Sequence, residues 1–267
     1  MNFGLYGLHK GENTAPKALA RRARIAEDAG FESIWIGDHI ALPPDAPDDA
    51  YDPRLEVIVT LAHLAAVTER VRLATGVIIL PQRQPVLLAK QLTSIDVLSG
   101  GRLIVGLGVG YLEAELNALG ATLAERGTRT DEYIAAMRAL WAEAMPDFEG
   151  RFVAFSNVLQ RPTPTQQPHP PIVIGGASPA AYRRARAARG WYGWETTPEQ
   201  VAAVREELGA RLEITVTPSP PGPIDIELAR RYADAGVDRL VLQPPDTTGA
   251  SMDELIAACR ETLIGRV

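Results

Sequence analysis

The sequence predicts an α/β fold, specifically a (β/α)8 TIM barrel, and two features of its 267 residues carry the prediction. Short apolar runs alternate with longer amphipathic segments, which is the pattern of repeated βα units. Several apolar runs contain no polar residue, as expected of parallel strands covered on both faces. Eight such units fit into the chain, and eight units close a barrel.

The predicted strands and helices alternate along the whole chain. The strands are expected at 3–7, 33–38, 72–79, 103–108, 172–175, 191–194, 212–217 and 239–243. The helices are expected at about 15–29, 53–68, 85–98, 129–144, 179–189, 198–209, 225–235 and 251–264. These units leave no residues for a second domain, so residues 1–267 are expected to form one domain. An open doubly wound sheet is the alternative, because the sequence does not reveal the order of the strands.

Residues 145–171 interrupt this alternation between the fourth predicted helix and the fifth predicted strand. The segment is rich in proline, and Phe152, Val153 and Phe155 indicate a short strand or hairpin within it. Long insertions in compact domains are often functional. Three interpretations stay open for it: a surface loop, a lid over the active site, or a dimer contact.

Composition and charge exclude several classes of partner. The formal net charge of −6 argues against nucleic acid, because proteins that bind it usually present a basic face. No apolar run is long enough to span a membrane, and the N-terminus lacks the pattern of a secretory signal. We therefore expect a cytoplasmic protein with a small-molecule substrate and no nucleic-acid or membrane partner, and a homodimer is considered as its assembly.

Cysteine and histidine usage give no sign of a disulfide or a metal site. The single cysteine, Cys259, lies among apolar residues of a predicted helix, which indicates a buried, unreactive side chain. The four histidines are scattered without the spacing of metal ligands. We predict no metal site.

The active site of a β/α barrel lies at the C-terminal ends of its strands, which limits the candidates to a few residues. His39 ends the second predicted strand, and a histidine there suits proton exchange near neutral pH. A hydrogen bond from His39 to a loop is the structural alternative. Tyr111 and Glu113 follow the fourth predicted strand, where they are further candidates.

Two glycine-rich segments also follow predicted strands. Residues 175–179 read GGASP, in which serine suits the N-cap, proline suits the first helical turn, and glycines let backbone amides approach an anion. An ordinary capped helix start is the alternative. Residues 106–110 read GLGVG, but Tyr111 stands where a dinucleotide fingerprint needs its third glycine. Tight packing at a strand end, or a backbone shelf under a flat ring, explains these glycines better.

An ordered set of phrases resembles the luciferase-like flavin monooxygenase superfamily, and within it the coenzyme F420-dependent oxidoreductases. The phrases are SIWIGDH at 33–39, PVLLAK at 85–90, DVLSGGR at 96–102, VGLGVG at 105–110, RGTRTDEY at 126–133, FEGRF at 148–152 and PPIVIGG at 170–176. A single phrase is weak evidence, but their common order from about residue 3 to 243 is specific. The fold that the resemblance implies is the same barrel.

The resemblance also implies cofactor contacts. It places His39 against the deazaflavin ring, and the other implied contacts are Asp38, Gly76, Val77, Val109, Gly110, Tyr111, Gly175 and Gly176. Three further cofactor contacts are predicted from their places after strands: Thr75 at the end of the third predicted strand, and Ala177 and Ser178 in the capped helix start. The stretch matching Gly76 and Val77 often holds a cis peptide bond that forms a bulge under the ring. The predicted catalytic residues are His39, Tyr111 and Glu113.

The chain departs from the family pattern at two places. Some dehydrogenases of the family carry a proton-donating glutamate where this chain has Tyr111, so the donor is either Tyr111 or Glu113, two residues further on. Relatives usually have Gly-Asp-Gly-Trp where this chain has GWYGW at 190–194, and the aspartate is absent.

Three functions are compatible with these observations. The first is F420-dependent hydride transfer to or from a small organic substrate, which the pair Asp38-His39 favours. The second is an FMN-dependent monooxygenase of the same superfamily. The third is a non-catalytic barrel that binds a flavin.

Overall fold

The apolar runs of the sequence form the strands of the computed structural model, which describes residues 1–46, 50–142, 144–220 and 222–267. The strands are β1 (Asn2–Tyr6), β2 (Ser33–Ile36), β3 (Arg72–Thr75), β4 (Ile78–Ile79), β5 (Leu103–Gly108), β6 (Phe148–Glu149), β7 (Ala154–Phe155), β8 (Ile172–Gly175), β9 (Gly190–Thr196), β10 (Glu213–Pro218) and β11 (Arg239–Leu242). All except β6 and β7 belong to one parallel sheet.

This parallel sheet closes on itself. Neighbouring strands follow the order β1, β2, β3, β5, β8, β9, β10 and β11, and β11 returns to pair with β1. The ring is complete because β3 pairs with β5 as well as with β2. The predicted (β/α)8 TIM barrel is therefore confirmed, and the open doubly wound sheet is wrong.

Helices surround the barrel where the amphipathic segments were predicted. They are α1 (Pro16–Ala29), α2 (Val57–Val67), α3 (Pro85–Leu98), α4 (Glu113–Ala118), α5 (Arg126–Ala142), α6 (Pro179–Arg186), α7 (Pro198–Leu208), α8 (Ile226–Asp234) and α9 (Gly249–Thr262). The short helix α4 was not predicted. Residue 143, within the predicted helix 129–144, lies outside the described residues. The predicted helix 53–68 begins only at Val57, because Leu55 donates its backbone N–H to His9 in an extended segment.

The predicted strand 72–79 is interrupted by a bulge that shapes the barrel mouth. β3 ends at Thr75, and the Gly76–Val77 peptide bond is cis, as the family resemblance implied. The neighbouring strand leaves room for this bulge: a Cβ on Gly106 would lie 2.0 Å from the Thr75 carbonyl oxygen, and one on Gly108 would lie 2.6 Å from the Val77 side chain. These glycines are therefore required for packing against the bulge.

Charged and aromatic side chains fill the barrel from its N-terminal end. Arg239 opens β11 and forms hydrogen bonds of 2.7 and 2.9 Å with Glu32, and it also contacts Glu213. The interior above this network is packed by Tyr6, Trp35, Ala74, Ile104, Val173, Tyr192 and Val241. The C-terminal end of the barrel is the one that opens onto the candidate site.

The insertion at 145–171 folds against the outside of the barrel. β6 and β7 pair as a small antiparallel hairpin, and the Glu132 carboxylate on α5 accepts backbone N–H bonds from Phe152 and Val153 at 2.7 and 2.8 Å. Gln166 then binds Asp96 and the carbonyl of Leu103, at the N-terminal end of β5. The segment thus runs away from the barrel mouth and does not form a lid over it.

Two simpler expectations concern Cys259 and the helices. Cys259 is 2% exposed, and burial raises the pKa of its thiol to about 12, which agrees with an unreactive core side chain. Among the helices of the described residues, none has both the length and the apolar character needed to cross a membrane.

Candidate active site

A cavity of about 540 Å³ lies at the C-terminal ends of the strands, and its volume is in the range of small-molecule sites. Its wall is formed by Tyr6, Gly37, Asp38, His39, Gly76, Val77, Ile79, Gly108, Val109, Gly110, Tyr111, Arg126, Gly175, Gly176, Ser178, Tyr192 and Trp194. Most of the predicted site residues are in this set, because the ends of parallel strands meet at one rim.

Three predicted residues lie outside the cavity wall. Thr75 is fully buried and exchanges hydrogen bonds of 2.7 Å with the backbone of Gly106. Glu113 and Ala177 are both exposed to solvent rather than part of the wall. Thr75 therefore holds the bulge in place, and the glutamate that contacts a residue of the cavity wall is Glu115.

The floor of the cavity is apolar and partly aromatic. Val77 is half-buried, and a Cβ on Gly175 would lie 3.0 Å from its side chain, so the glycine leaves space for the bulge on this side as well. Trp194 is 43% exposed and its ring lies 5.0 Å from that of Tyr6, edge to face. Such a surface suits a flat ring system, since apolar contact and aromatic edges favour it.

One side of the cavity carries a histidine paired with a buried carboxylate. The Nδ1 of His39 lies 2.8 Å from Oε2 of Glu115, on α4. The Oε1 of Glu115 accepts the backbone N–H groups of Ile40 at 2.6 Å and Ala41 at 3.2 Å. Glu115 is 1% exposed, so a buried acceptor fixes the ring of His39 and the loop that follows it.

The same contacts determine the charge of Glu115. Burial acts to raise the pKa of its carboxyl, but the hydrogen bond with His39 and the backbone N–H bonds outweigh burial and bring the pKa below its usual value. Charge-assisted hydrogen bonds stabilise the ionised form in this way. Glu115 is therefore a carboxylate at neutral pH.

Asp38 lines the cavity, yet its hydrogen bonds go to the protein. Arg83 donates two hydrogen bonds to its carboxylate, at 2.9 and 2.5 Å, and Ile79 donates its backbone N–H at 3.0 Å. Burial raises the pKa of Asp38, and the Arg83 guanidinium opposes that effect. We take Asp38 to be ionised, because it faces Arg83 in a bidentate pair. It anchors the segment that follows the bulge.

The opposite side of the cavity has the features of an anion site. Ser178 caps α6 by accepting the N–H of Ala181, and Gly176 adopts φ +108° in the turn before it. The buried indole of Trp191 donates a hydrogen bond of 2.7 Å to the Gly176 carbonyl and so fixes this turn. Arg126 lines the same cavity and supplies a positive charge. Backbone amides at a helix start together with an arginine favour a phosphate or carboxylate.

The sequence interpretation missed Arg126 and Trp191 as site residues, and it placed Glu115 near the barrel mouth without giving it a role. Arg126 stood in one of the family phrases, and Glu115 follows the fourth strand, but nothing local distinguished either residue from a surface charge. Trp191 belongs to the segment GWYGW, where it was noted only as a departure from the family pattern.

Taken together, the cavity fits a flat, anionic ligand. Its floor has the shape and apolar character for a ring, the end formed by Gly176, Ser178 and Arg126 suits a negatively charged tail, and the end formed by His39 presents a group able to exchange protons. Across the described parts of the chain, no group of three or more His, Cys, Asp or Glu side chains is placed to hold a metal ion. The geometry defines a barrel whose C-terminal rim carries a cavity suited to an organic cofactor or substrate.

Comparison with known proteins gives the family. The chain belongs to the luciferase-like monooxygenase family, whose model matches residues 1–226. An uncharacterized protein of Mycobacterium tuberculosis is 32% identical over 274 residues, covering 92% of this chain and 93% of its own. The FMNH2-dependent dimethylsulfone monooxygenase of Pseudomonas putida is 36% identical over 174 residues, which cover 64% of this chain and 46% of that protein.

A solved structure shows the same fold. An F420-dependent secondary alcohol dehydrogenase in complex with an F420-acetone adduct superposes with a TM-score of 0.81 over 98% of each chain, at 16% sequence identity. At this identity the likeness shows a shared barrel architecture and nothing more specific.

Proposed function

We propose that the protein is a coenzyme F420-dependent oxidoreductase that transfers a hydride between the deazaflavin and a small organic substrate. The observation that carries the proposal is the place of His39 in the wall of a cavity that fits a flat, anionic ligand. A two-electron exchange at carbon is accompanied by the movement of a proton on a neighbouring heteroatom, and a histidine suits that movement.

The residues that would hold the coenzyme are those of the floor and of the anionic end. Val77 and the backbone of Val109 and Gly110 would lie under the ring, and Gly176, Ser178 and Arg126 would meet the tail. When bound, the coenzyme supplies or accepts the hydride.

The protein contributes positioning and proton exchange. Nδ1 of His39 is engaged by Glu115, so Nε2 is the ring nitrogen left for the substrate. Tyr111, whose ring centroid lies 6.0 Å from that of His39, is the second group with an exchangeable proton at this end. Because Glu113 lies outside the wall, we propose His39 as the acid–base residue and Tyr111 as its neighbour on the substrate side.

An FMN-dependent monooxygenase is the second candidate, and one observation favours it. The relative from Pseudomonas putida named for FMNH2 dependence shares 36% identity over 174 residues, a closer sequence likeness than the 16% of the F420-dependent dehydrogenase. The flat floor and the anionic end would also accept FMN, so cavity shape does not separate the two cofactors.

Spectral titration of the purified protein with F420 and with FMN tests the proposal. We expect saturable binding of F420 at lower concentration than FMN, followed by reduction or oxidation of F420 with a panel of small organic substrates. Tighter binding of FMN, with oxygen consumption on addition of reduced FMN, would support the second candidate instead.

A substitution at Gly176 tests the anion site. Gly176→Val places a β-branched side chain in a turn with φ +108° and moves the backbone amides that would face the cofactor tail. Hydrogen bonds to charged groups contribute about 1.5–3 kcal/mol each, so we expect cofactor affinity to fall roughly 10- to 100-fold in the same spectral titration.

Gly100→Val is the matched control for this substitution. Gly100 also has a positive φ, +67°, and a Cβ there meets nothing within 4 Å, but it lies in the turn that precedes β5 at the far end of the barrel. Both variants strain a turn, and only Gly176→Val should weaken cofactor binding. Unchanged affinity in a folded Gly176→Val protein would remove this turn from the cofactor site.

A further inference from the structure

Glu115 receives three hydrogen bonds from three consecutive residues. Oε2 contacts Nδ1 of His39 at 2.8 Å, and Oε1 accepts the N–H groups of Ile40 at 2.6 Å and Ala41 at 3.2 Å. The carboxylate is 1% exposed, whereas the side chain of His39 keeps 14% of its surface accessible at the cavity. Glu115 is therefore too buried to contact a ligand, but it fixes the imidazole ring of His39, which lines the cavity.

The chemistry of the pair determines which nitrogen of His39 carries the proton. An ionised carboxylate accepts hydrogen bonds and donates none. Nδ1 must therefore donate to Glu115. When the imidazole is neutral it has one proton, so Nε2 then has a free lone pair.

We propose that Glu115 is a positioning residue that holds neutral His39 in its Nδ1–H tautomer, so that Nε2 faces the ligand as a hydrogen-bond acceptor. This proposal rests on the proposed function in one respect, which is that catalysis uses the Nε2 atom of His39. The tautomer itself is a property of the free protein. A ligand group opposite Nε2 would then carry a hydrogen to donate, such as a hydroxyl or an amine.

Few other titratable groups face His39 from the elements around it. Tyr111, after β5, contacts the ring edge to face at a centroid distance of 6.0 Å. Asp38, next in the chain, has its carboxylate bound by Arg83 and Ile79. Within the described residues, Glu115 is the carboxylate hydrogen-bonded to the His39 ring.

Glu115→Gln tests the proposal because the NH2 group of an amide donates a hydrogen bond where the carboxylate oxygen accepts one. Its oxygen still accepts the N–H groups of Ile40 and Ala41, so the loop keeps its anchor. Its NH2 group then lies beside Nδ1 and can only donate, which forces Nδ1 to accept and moves the proton to Nε2. We expect the ¹⁵N chemical shifts of His39 in the cofactor-free protein to change from the Nδ1–H to the Nε2–H pattern. The chain has only four histidines, so His39→Gln suffices to assign the signal.

A second measurement separates tautomer control from a structural role. We expect Glu115→Gln to lower kcat about 10²-fold or more while the spectral Kd for the cofactor stays within a factor of about two of the unmodified protein. Glu132→Gln is the matched control, because Glu132 also accepts backbone N–H bonds, from Arg151, Phe152 and Val153, and within the described residues it is not hydrogen-bonded to a histidine. It should change neither the His39 signal nor kcat.

An Nδ1–H pattern that persists in Glu115→Gln would overturn the proposal. So would an Nε2–H pattern in the unmodified protein at neutral pH. The NMR measurement needs no cofactor. A failure to bind F420 would therefore count against the proposed function, and the tautomer result would still decide the role of Glu115.

Discussion

His39→Ala is expected to lower kcat by about 10²- to 10⁴-fold, the usual contribution of a general acid or base, while the cofactor still binds. The substitution removes the His39 imidazole from the cavity wall and leaves Val77, Gly176, Ser178 and Arg126 unchanged. Because those residues form the floor and the anionic end, spectral titration should give a Kd close to that of the unmodified protein. Steady-state turnover and titration on the same preparation check both expectations.

His63→Ala is the control for this variant, since His63 lies on α2 and outside the cavity wall. Circular dichroism should show that both variants are folded. Near-normal turnover of His39→Ala would refute its catalytic role. A loss of cofactor binding with little loss of kcat at saturation would reduce His39 to a residue that orients the ring.

The barrel was predictable because its evidence is local. Each βα unit is recognisable from one apolar run followed by one amphipathic run. The presence of eight such units favours a closed ring. The short helix α4 (Glu113–Ala118) was missed because six residues give too little of a 3.6-residue period to recognise. The apolar pattern of 72–79 gave no sign of the break after Thr75, which only the family resemblance implied. The break depends on space that Gly106 and Gly108 provide on the adjacent strand.

The site was predictable in outline and less so in its polar contacts. His39, Gly176 and Ser178 lie at strand ends, where the barrel rule places functional groups. Glu115 meets His39 across 76 residues of sequence, and no local pattern distinguishes it from Glu113. The difference is structural: Glu113 opens the first turn of α4 and is exposed, whereas Glu115 lies on the buried face of the same helix.

Asp38 shows how a residue correctly placed in the site can have a different role from the one expected. The family resemblance puts it next to the cofactor, and it does line the cavity. Its hydrogen bonds, however, go to Arg83 and to the backbone of Ile79. The side chains of Asp38 and Arg83 are 1% and 11% exposed. Asp38 therefore acts on the stability of the free protein, and this can be measured without any cofactor.

Asp38→Ala is expected to reduce the free energy of unfolding of the cofactor-free protein by roughly 3–5 kcal/mol. Removing one partner of a buried ion pair leaves an uncompensated charge, and that is the usual cost. Arg83 keeps one contact, with Glu56 at 2.8 Å, which places the expectation towards the lower end of this range. Urea denaturation followed by circular dichroism measures the change.

Two comparisons make the Asp38 result specific. Adding Arg83→Met to Asp38→Ala removes the unpaired charge, so the double variant should be more stable than Asp38→Ala alone. Glu207→Ala breaks an exposed pair with Arg186, in which the Glu207 and Arg186 side chains are 46% and 47% exposed, and should cost no more than about 1 kcal/mol. If Asp38→Ala unfolded at the same urea concentration as the unmodified protein and lost only cofactor affinity, Asp38 would be a cofactor ligand. A stability loss in the free protein, partly restored in the double variant, identifies it as the anchor of the bulge on which the cavity floor is built.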